Sequence, residues 1–337
     1  MFEWTGSVVT IQRLFMAVIG VSSIVMMAAL GRMLAGTRVG LVAAGLTATY
    51  ANVWVNDGLI MSESLTFAIV IVFTGLVLRQ CENPTRRRSF AIGLAVGAAA
   101  LTRTELVLLV VIVPALFAVA WRVTRENAVR HWIRDSAVLV AGATLVIAPW
   151  VVWNQMRFDG PVFISTNDGM TLAGAHCDRT YVDDVGGWDI WCAYATHVPV
   201  GDDAAQASAR MRSAGLEYWR DHLGRSSVVA AARLARVASV GYIGASARAS
   251  TAEGRPIWVS YLGVAQYWVM IPLAAVGLRR VRSIQRLVLV ACVPIVVLVA
   301  IVANAYVRFR IPAEVGLVLL ASVGIVSLVA SRERSRA

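Results

Sequence analysis

Apolar residues gather in nine runs along the chain, at roughly 13–31, 39–55, 62–78, 89–102, 104–121, 136–153, 258–278, 287–303 and 311–330. About 20 apolar residues in a helix cross a bilayer core, and within it a helix satisfies every backbone polar group by itself. The pattern therefore predicts an all-α polytopic membrane protein with about nine transmembrane helices. The shortest run, 89–102, is rich in Gly and Ala and ends at Arg103; it tilts, borrows flanking residues or only reaches the interface. No charged n-region precedes the first run, which exceeds a signal-peptide core in length, so that segment is expected to stay in the protein.

The polar stretch between the sixth and seventh runs divides the chain into three parts. Residues 1–153 carry six helices, 154–257 form a mixed loop domain, and 258–337 carry three helices and a short basic tail. Within the loop, Gly/Asp-rich turns precede two helical stretches. Asp202 or Asp203 caps a helix with Ala204, Ala207, Met211 and Tyr218 on one face. A second helix, near 226–243, mixes Val228, Val229, Leu234, Val237 and Val240 with Arg233 and Arg236. That composition suits a surface resting on lipid headgroups.

Composition agrees with a membrane location. Of 337 residues, 58% are hydrophobic and 15% charged, and the mean hydropathy is +0.68, where a soluble domain carries roughly a quarter charged residues. The net charge of +11 does not indicate nucleic acid, because the Arg residues lie between apolar runs instead of along one face of a soluble domain. They instead set an orientation, since cytoplasmic loops retain positive charge. With the first run crossing from outside to inside, seventeen Arg fall in inner loops and the tail, against Arg103, Arg308 and Arg310 in the short outer connections. The N-terminus is then outside and the C-terminus cytoplasmic, at the plasma membrane. Of the acids, only Glu82, Glu126, Asp135 and Glu333 fall inside, and the loop 154–257 is extracytoplasmic.

Cys177 and Cys192 lie in that loop, in a compartment where disulfides persist. Pairing them would add about 3 kcal/mol by the chain-entropy account. Cys81 and Cys292 are expected to be unpaired. Glu63 opens the third run, where it either serves the helix N-terminus or faces an outer cavity and binds a divalent cation or an acceptor. Arg103 and Glu105 flank an outer turn, where a local ion pair explains them as well as a ligand does. Arg308 and Arg310 present guanidinium forks whose geometry matches phosphate, although ordinary lipid headgroups would satisfy them too.

Four stretches in order carry a resemblance: the Gly/Ala-rich 40–46 followed by Met61-Ser62-Glu63-Ser64; the glycine-rich 93–101 ending in Thr102-Arg103; Pro149-Trp150 and Asn154 followed by Ser165-Thr166-Asn167-Asp168-Gly169; and Arg308-Phe309-Arg310-Ile311-Pro312. Together they resemble the polytopic glycosyltransferases of the GT-C superfamily, which take a sugar from a polyprenyl-phosphate donor on the outer face and include protein O-mannosyltransferases and lipid A aminoarabinose transferases. The resemblance implies sugar transfer to the hydroxyl of a lipid, glycan or protein acceptor. By the same resemblance Arg308, Arg310 and Arg103 grip the donor phosphate, Glu63 is a second acid near the site, and Asn154, Asn167, Gly169 and Tyr306 shape the cavity.

Two departures accompany the match. Trp153 stands where the family has Arg before Asn. The family also begins with a further helix and an outer loop bearing its main catalytic Asp, ahead of the helix that matches 13–31. Glu3 is the only acid before that run and is not assigned the role. The expectation is either a start placed downstream of the true one or a remnant without activity. A noncatalytic membrane scaffold is thus the main rival. A transporter is disfavoured because no internal repeat or broken midplane helix is evident, and nucleotide-sugar chemistry on the inner face because no phosphate-cradling glycine loop is present.

Overall fold

The computed structural model describes residues 6–122 and 128–335. Its helices are α1 (Gly6–Ala35), α2 (Thr37–Thr49), α3 (Ala51–Trp54), α4 (Glu63–Glu82), α5 (Arg86–Thr102), α6 (Leu109–Arg122), α7 (Ala128–Arg157), α8 (Asn167–Ala175), α9 (Ile190–Tyr194), α10 (Ala204–Asp221), α11 (Leu223–Val237), α12 (Ile243–Ala249), α13 (Ile257–Arg280), α14 (Ser283–Leu289), α15 (Val293–Val302) and α16 (Ile311–Arg334). Each apolar run lies in helix or helical turns, and no strand occurs among the described residues. Six segments are long and apolar enough to cross a membrane: α1, α4, α7, α13, the α14–α15 pair, and α16 with the turn before it. This is the architecture of a multi-pass membrane protein. The other three runs form shorter helices, with 13 residues in α2, 17 in α5 and 14 in α6. At 1.5 Å per residue α2 extends about 20 Å, against a hydrocarbon core of about 30 Å. Glu3, Arg125, Glu126 and Arg336, which entered the charge comparison, lie outside the described residues.

Helix α4 and helix α16 sit innermost, and Phe67, Phe73, Ile92, Phe117, Val318 and Leu319 belong to one continuous core. The outward face of α1, with Leu14, Phe15, Val18, Val21 and Val25 exposed, is apolar and suits lipid. Small residues let the helix backbones touch. A Cβ on Gly277 of α13 would collide with the Leu320 carbonyl of α16, and one on Gly324 with the Leu273 carbonyl. The same holds for Gly93 of α5 against Leu139 of α7.

The span 283–302 departs from the expectation of unbroken helices. It breaks at 290–292 into α14 and α15, because Pro294, at the start of α15, has no N–H to continue the ladder. The break is lined by buried Leu289, Ala291 and Cys292, so it is apolar. At one end of the bundle Arg282 pairs with Glu82 and Arg38 with Glu333. The opposite end collects the start of α4, the end of α5, the end of α15 and the start of α16.

The segment after α7, expected to be mixed, consists of helices and turns. Cys177 and Cys192 are joined by a disulfide, and Cys81 and Cys292 are free. Asp203 caps α10 in a reciprocal capping box with Gln206. Its buried line runs through Ala205, Ser208 and Gly215, one position away from the predicted face, because Gly169 of α8 meets the Ser208 backbone and Gly215 meets Leu172.

The second predicted helix is corrected in both extent and surface. It spans Leu223–Val237, and left-handed backbone at Ser239 and Tyr242 stops it short of 243. Arg233 and Arg236 are buried instead of resting on headgroups. Arg236 pairs with Asp184, while Arg233 donates to the carbonyls of Ala175 and Ile301. His176 binds the Val302 carbonyl at 2.8 Å. These two side chains satisfy the last carbonyls of α15, which a helix end leaves orphaned.

Candidate functional site

A cavity of about 980 Å³ opens at the end of the bundle opposite the Arg282–Glu82 pair. Glu63, Thr102, Arg103, Glu105, Trp150, Asn167, Asp168, Arg308 and Phe309 line it. Most stand at or beside a helix terminus, whereas Trp150 projects from within α7. Glu63 occupies the first turn of α4, where the helix dipole favours a carboxylate. A Ser64 hydroxyl bond to Asp57 at 2.6 Å closes the approach to that turn. Helix α5 ends at Thr102, whose hydroxyl turns back to the Ala99 carbonyl, and Arg103 continues in extended backbone. A hydroxyl bond of 3.0 Å from Thr66 to Thr102 ties α4 to α5 beside the cavity. Arg308 lies in a 3-10 turn leading into α16, with Pro312 in the first turn of that helix.

The charges form two groups. Arg103, 8% exposed, donates to Glu63 at 2.9 Å and to Glu105 at 2.7 Å. Arg308 Nε lies 3.1 Å from Glu253 Oε1, an ion-pair distance without the alignment of a hydrogen bond, and that N–H has no other acceptor. Both guanidiniums lie over the Phe309 ring, at 4.3 and 5.3 Å from its centre. Burial raises the Glu253 carboxyl above its ordinary value, opposed by Arg308 and Arg255. Burial likewise pushes the Asp57 carboxyl up to about 6, opposed by the Ser64 hydroxyl.

The other expected residues divide between the wall and its supports. Asn167 reaches the cavity with its side chain exposed. Arg310 does not line it. Its guanidinium is buried, pairs with Glu314, donates to the Val237 carbonyl and lies 3.6 Å from the Tyr267 ring centre, so it braces α16. Asn154 is buried and donates to the Phe163 carbonyl, and Trp150 donates to Ile164 at 2.7 Å; together they pin the chain that leads to α8. Gly169 is a packing residue, as its contact with Ser208 requires. Tyr306 donates to the Trp188 carbonyl at 3.1 Å, and burial pushes its hydroxyl up to about 12.

Sequence reasoning missed Trp150, Asp168 and Glu253 as individual site residues. Asp168 adjoins Asn167 in the quoted Ser-Thr-Asn-Asp-Gly stretch, and Glu253 is the only acid between Asp221 and Glu314; that isolation just before an apolar run was its signal. The carboxylates fit a divalent cation poorly. Glu63 and Glu105 share Arg103, and Asp168 pairs with Arg212. No cluster of three His, Cys, Asp or Glu with metal-binding spacing occurs among the described residues. No family model, curated protein or solved structure matches this chain.

Proposed function

We propose that the chain is a glycosyltransferase-like membrane protein that moves a sugar from a polyprenyl-phosphate donor to an acceptor hydroxyl on the outer face of the plasma membrane. The observation that carries this reading is the convergence of Glu63, Arg103, Asn167 and Arg308, from four separate stretches, on one cavity. In this reading α2, α5 and α6 complete nine crossings, and the cavity end with residues 158–256 is extracytoplasmic. The donor phosphate sits against the Arg308 guanidinium on the cavity wall, next to its Glu253 partner. An apolar groove of about 540 Å³ between α6 and α7 is lined by Val107, Val111, Val140, Ile147 and Val151, of which Val107 and Val151 are chain neighbours of the wall residues Glu105 and Trp150, and it suits the prenyl chain. The acceptor oxygen attacks the anomeric carbon as the bond from that carbon to the phosphate oxygen breaks. A carboxylate of the wall takes the acceptor proton, and fixed guanidinium charge stabilises the departing phosphate.

One observation favours a second reading, a noncatalytic scaffold: Arg103 already holds both Glu63 and Glu105, which leaves neither acid unpaired. Transfer of labelled sugar from a polyprenyl-phosphate donor, measured in membranes containing the chain, decides between them. Transfer that falls about 100-fold in Arg308→Ala, and falls also in Glu63→Gln, supports the enzyme. Wild-type rates in both variants remove the site assignment. Absence of transfer across a panel of donor sugars leaves the scaffold.

A further inference from the structure

Residues 158–166, which join α7 to α8, do not leave the bundle directly. The chain turns at 158–160 and runs back along the last turns of α7, because three side chains of that helix hold three successive carbonyls. Gln155 donates to Val162 at 2.8 Å, Asn154 to Phe163 at 3.3 Å and the Trp150 indole to Ile164 at 2.7 Å. Trp150 stands seven residues before the end of α7 at Arg157, so at 1.5 Å per residue the chain returns about 10 Å along the span.

The outer side of this hairpin is apolar and uncovered. Phe163 is 71% exposed and Met156 79%, and Trp150, Val152 and Trp153 are exposed as well. Leu145, Val152 and Met156 recur at helical spacing, so the hairpin extends the stripe that α7, the least buried of the six spans, turns outward. An exposed apolar patch of this kind marks contact with an apolar medium. The carbonyls identify that medium. A loop in water has no need of side-chain donors for its carbonyls, whereas beside lipid tails an unpaired carbonyl is costly. Pro161 brings no N–H to the hairpin. Trp150 and Trp153 match the indoles that mark the boundary between acyl chains and headgroups. Exposed Arg157, with its guanidinium over the Phe158 ring at 5.0 Å, ends the helix where lipid phosphates begin.

We propose that the end of α7 and residues 161–165 form a wedge embedded at the boundary of headgroups and acyl chains, with Trp153, Met156 and Phe163 in contact with lipid. Trp150, Ile164 and Ser165 belong both to the wedge and to the wall of the cavity of about 980 Å³, so the wedge places that wall at lipid depth. The inference stands on exposure and hydrogen bonding and holds whether or not the chain transfers sugar.

The test attaches the environment-sensitive fluorophore NBD to the wedge through Phe163→Cys or, in a second variant, Met156→Cys. Both are made in the full chain with the free cysteines removed by Cys81→Ala and Cys292→Ala and the Cys177–Cys192 disulfide kept. The labelled chain is reconstituted in phosphatidylcholine vesicles and exposed to two quenchers, a lipid carrying a nitroxide near the top of its acyl chain and iodide in the water. The expected result at both positions is blue-shifted emission, strong quenching by the nitroxide lipid, and loss of most of the iodide quenching shown by NBD-labelled free cysteine. Iodide quenching equal to that of the free adduct overturns the proposal and puts the hairpin in water. Resistance to both quenchers overturns it too, because protein, a second copy or another part of this chain, then covers the patch. Where one labelled variant fails to fold, the other decides.

Discussion

His176 shows how a single ring can hold two parts of the chain in register. Its Nε2 faces the Val302 carbonyl, which can only accept, so Nε2 carries the proton and Nδ1 accepts from the Tyr181 hydroxyl at 2.8 Å. The ring stacks on Trp219. Burial, with Arg233 nearby, pushes its pKa down to about 4. An unfolded His takes a proton below about 6.5, so between 6.5 and 4 the unfolded chain binds more protons and stability falls on acidification. Unfolding midpoints measured across this window should drop more steeply in wild type than in His176→Gln, a difference of roughly 3 kcal/mol by pH 4; parallel profiles would show that the ring is not held neutral. None of this was visible in the sequence, where residues 176, 181, 219, 233 and 302 share no local pattern. The candidate site was legible only where a residue stood at the end of an apolar run. Glu63, Arg103 and Arg308 did, and the structure gathers them at one cavity. Arg310 stood there too, but its partners come from α11, α16 and the Ser239 turn, and no spacing rule announces a side chain that turns inward.

Helices meet here through glycine, and this is where packing is least forgiving. Gly277 and Gly324 face each other across α13 and α16 with carbonyls in the way of any side chain. Gly277→Ala should therefore force the pair apart and cost about 2 kcal/mol or more. Gly45→Ala is the control, since nothing lies within 4 Å of a Cβ there and alanine favours helix by up to about 1 kcal/mol. Thermal midpoints of the two variants should move in opposite directions; equal losses would mean that the α13–α16 contact is looser than its geometry. Helix positions were readable because apolar runs and one capping Asp are local signals. Helix ends and buried faces were not, and α11 shows why. Arg233 and Arg236 read as polar until the carbonyls of α15 and the carboxylate of Asp184 supply partners from distant parts of the chain, and burial of an arginine depends on those partners.

The two ends of the molecule differ in chemistry, and that difference is the ground for the proposed orientation in a membrane. One end carries Arg38, Arg79, Arg86, Arg87, Arg88, Arg279, Arg280, Arg282, Arg332 and Arg334, the pattern that cytoplasmic loops retain. The other carries the cavity, most of the acids and the Cys177–Cys192 disulfide, which persists only in an oxidising compartment. Charge bias and redox chemistry are independent arguments for the proposed orientation, in which the cavity lies outside. Native cysteines allow a direct check, because Cys81 lies near the end of α4 beside Glu82, at the arginine-rich end. Intact cells expressing the chain are treated with a membrane-impermeant reductant and then an impermeant maleimide, and the labelled peptides are mapped. Label should enter Cys177 and Cys192 in intact cells and Cys81 only after lysis. Reagent on Cys81 with the disulfide pair protected would invert the orientation, place the cavity in the cytoplasm and remove the ground for an outer-leaflet glycolipid donor.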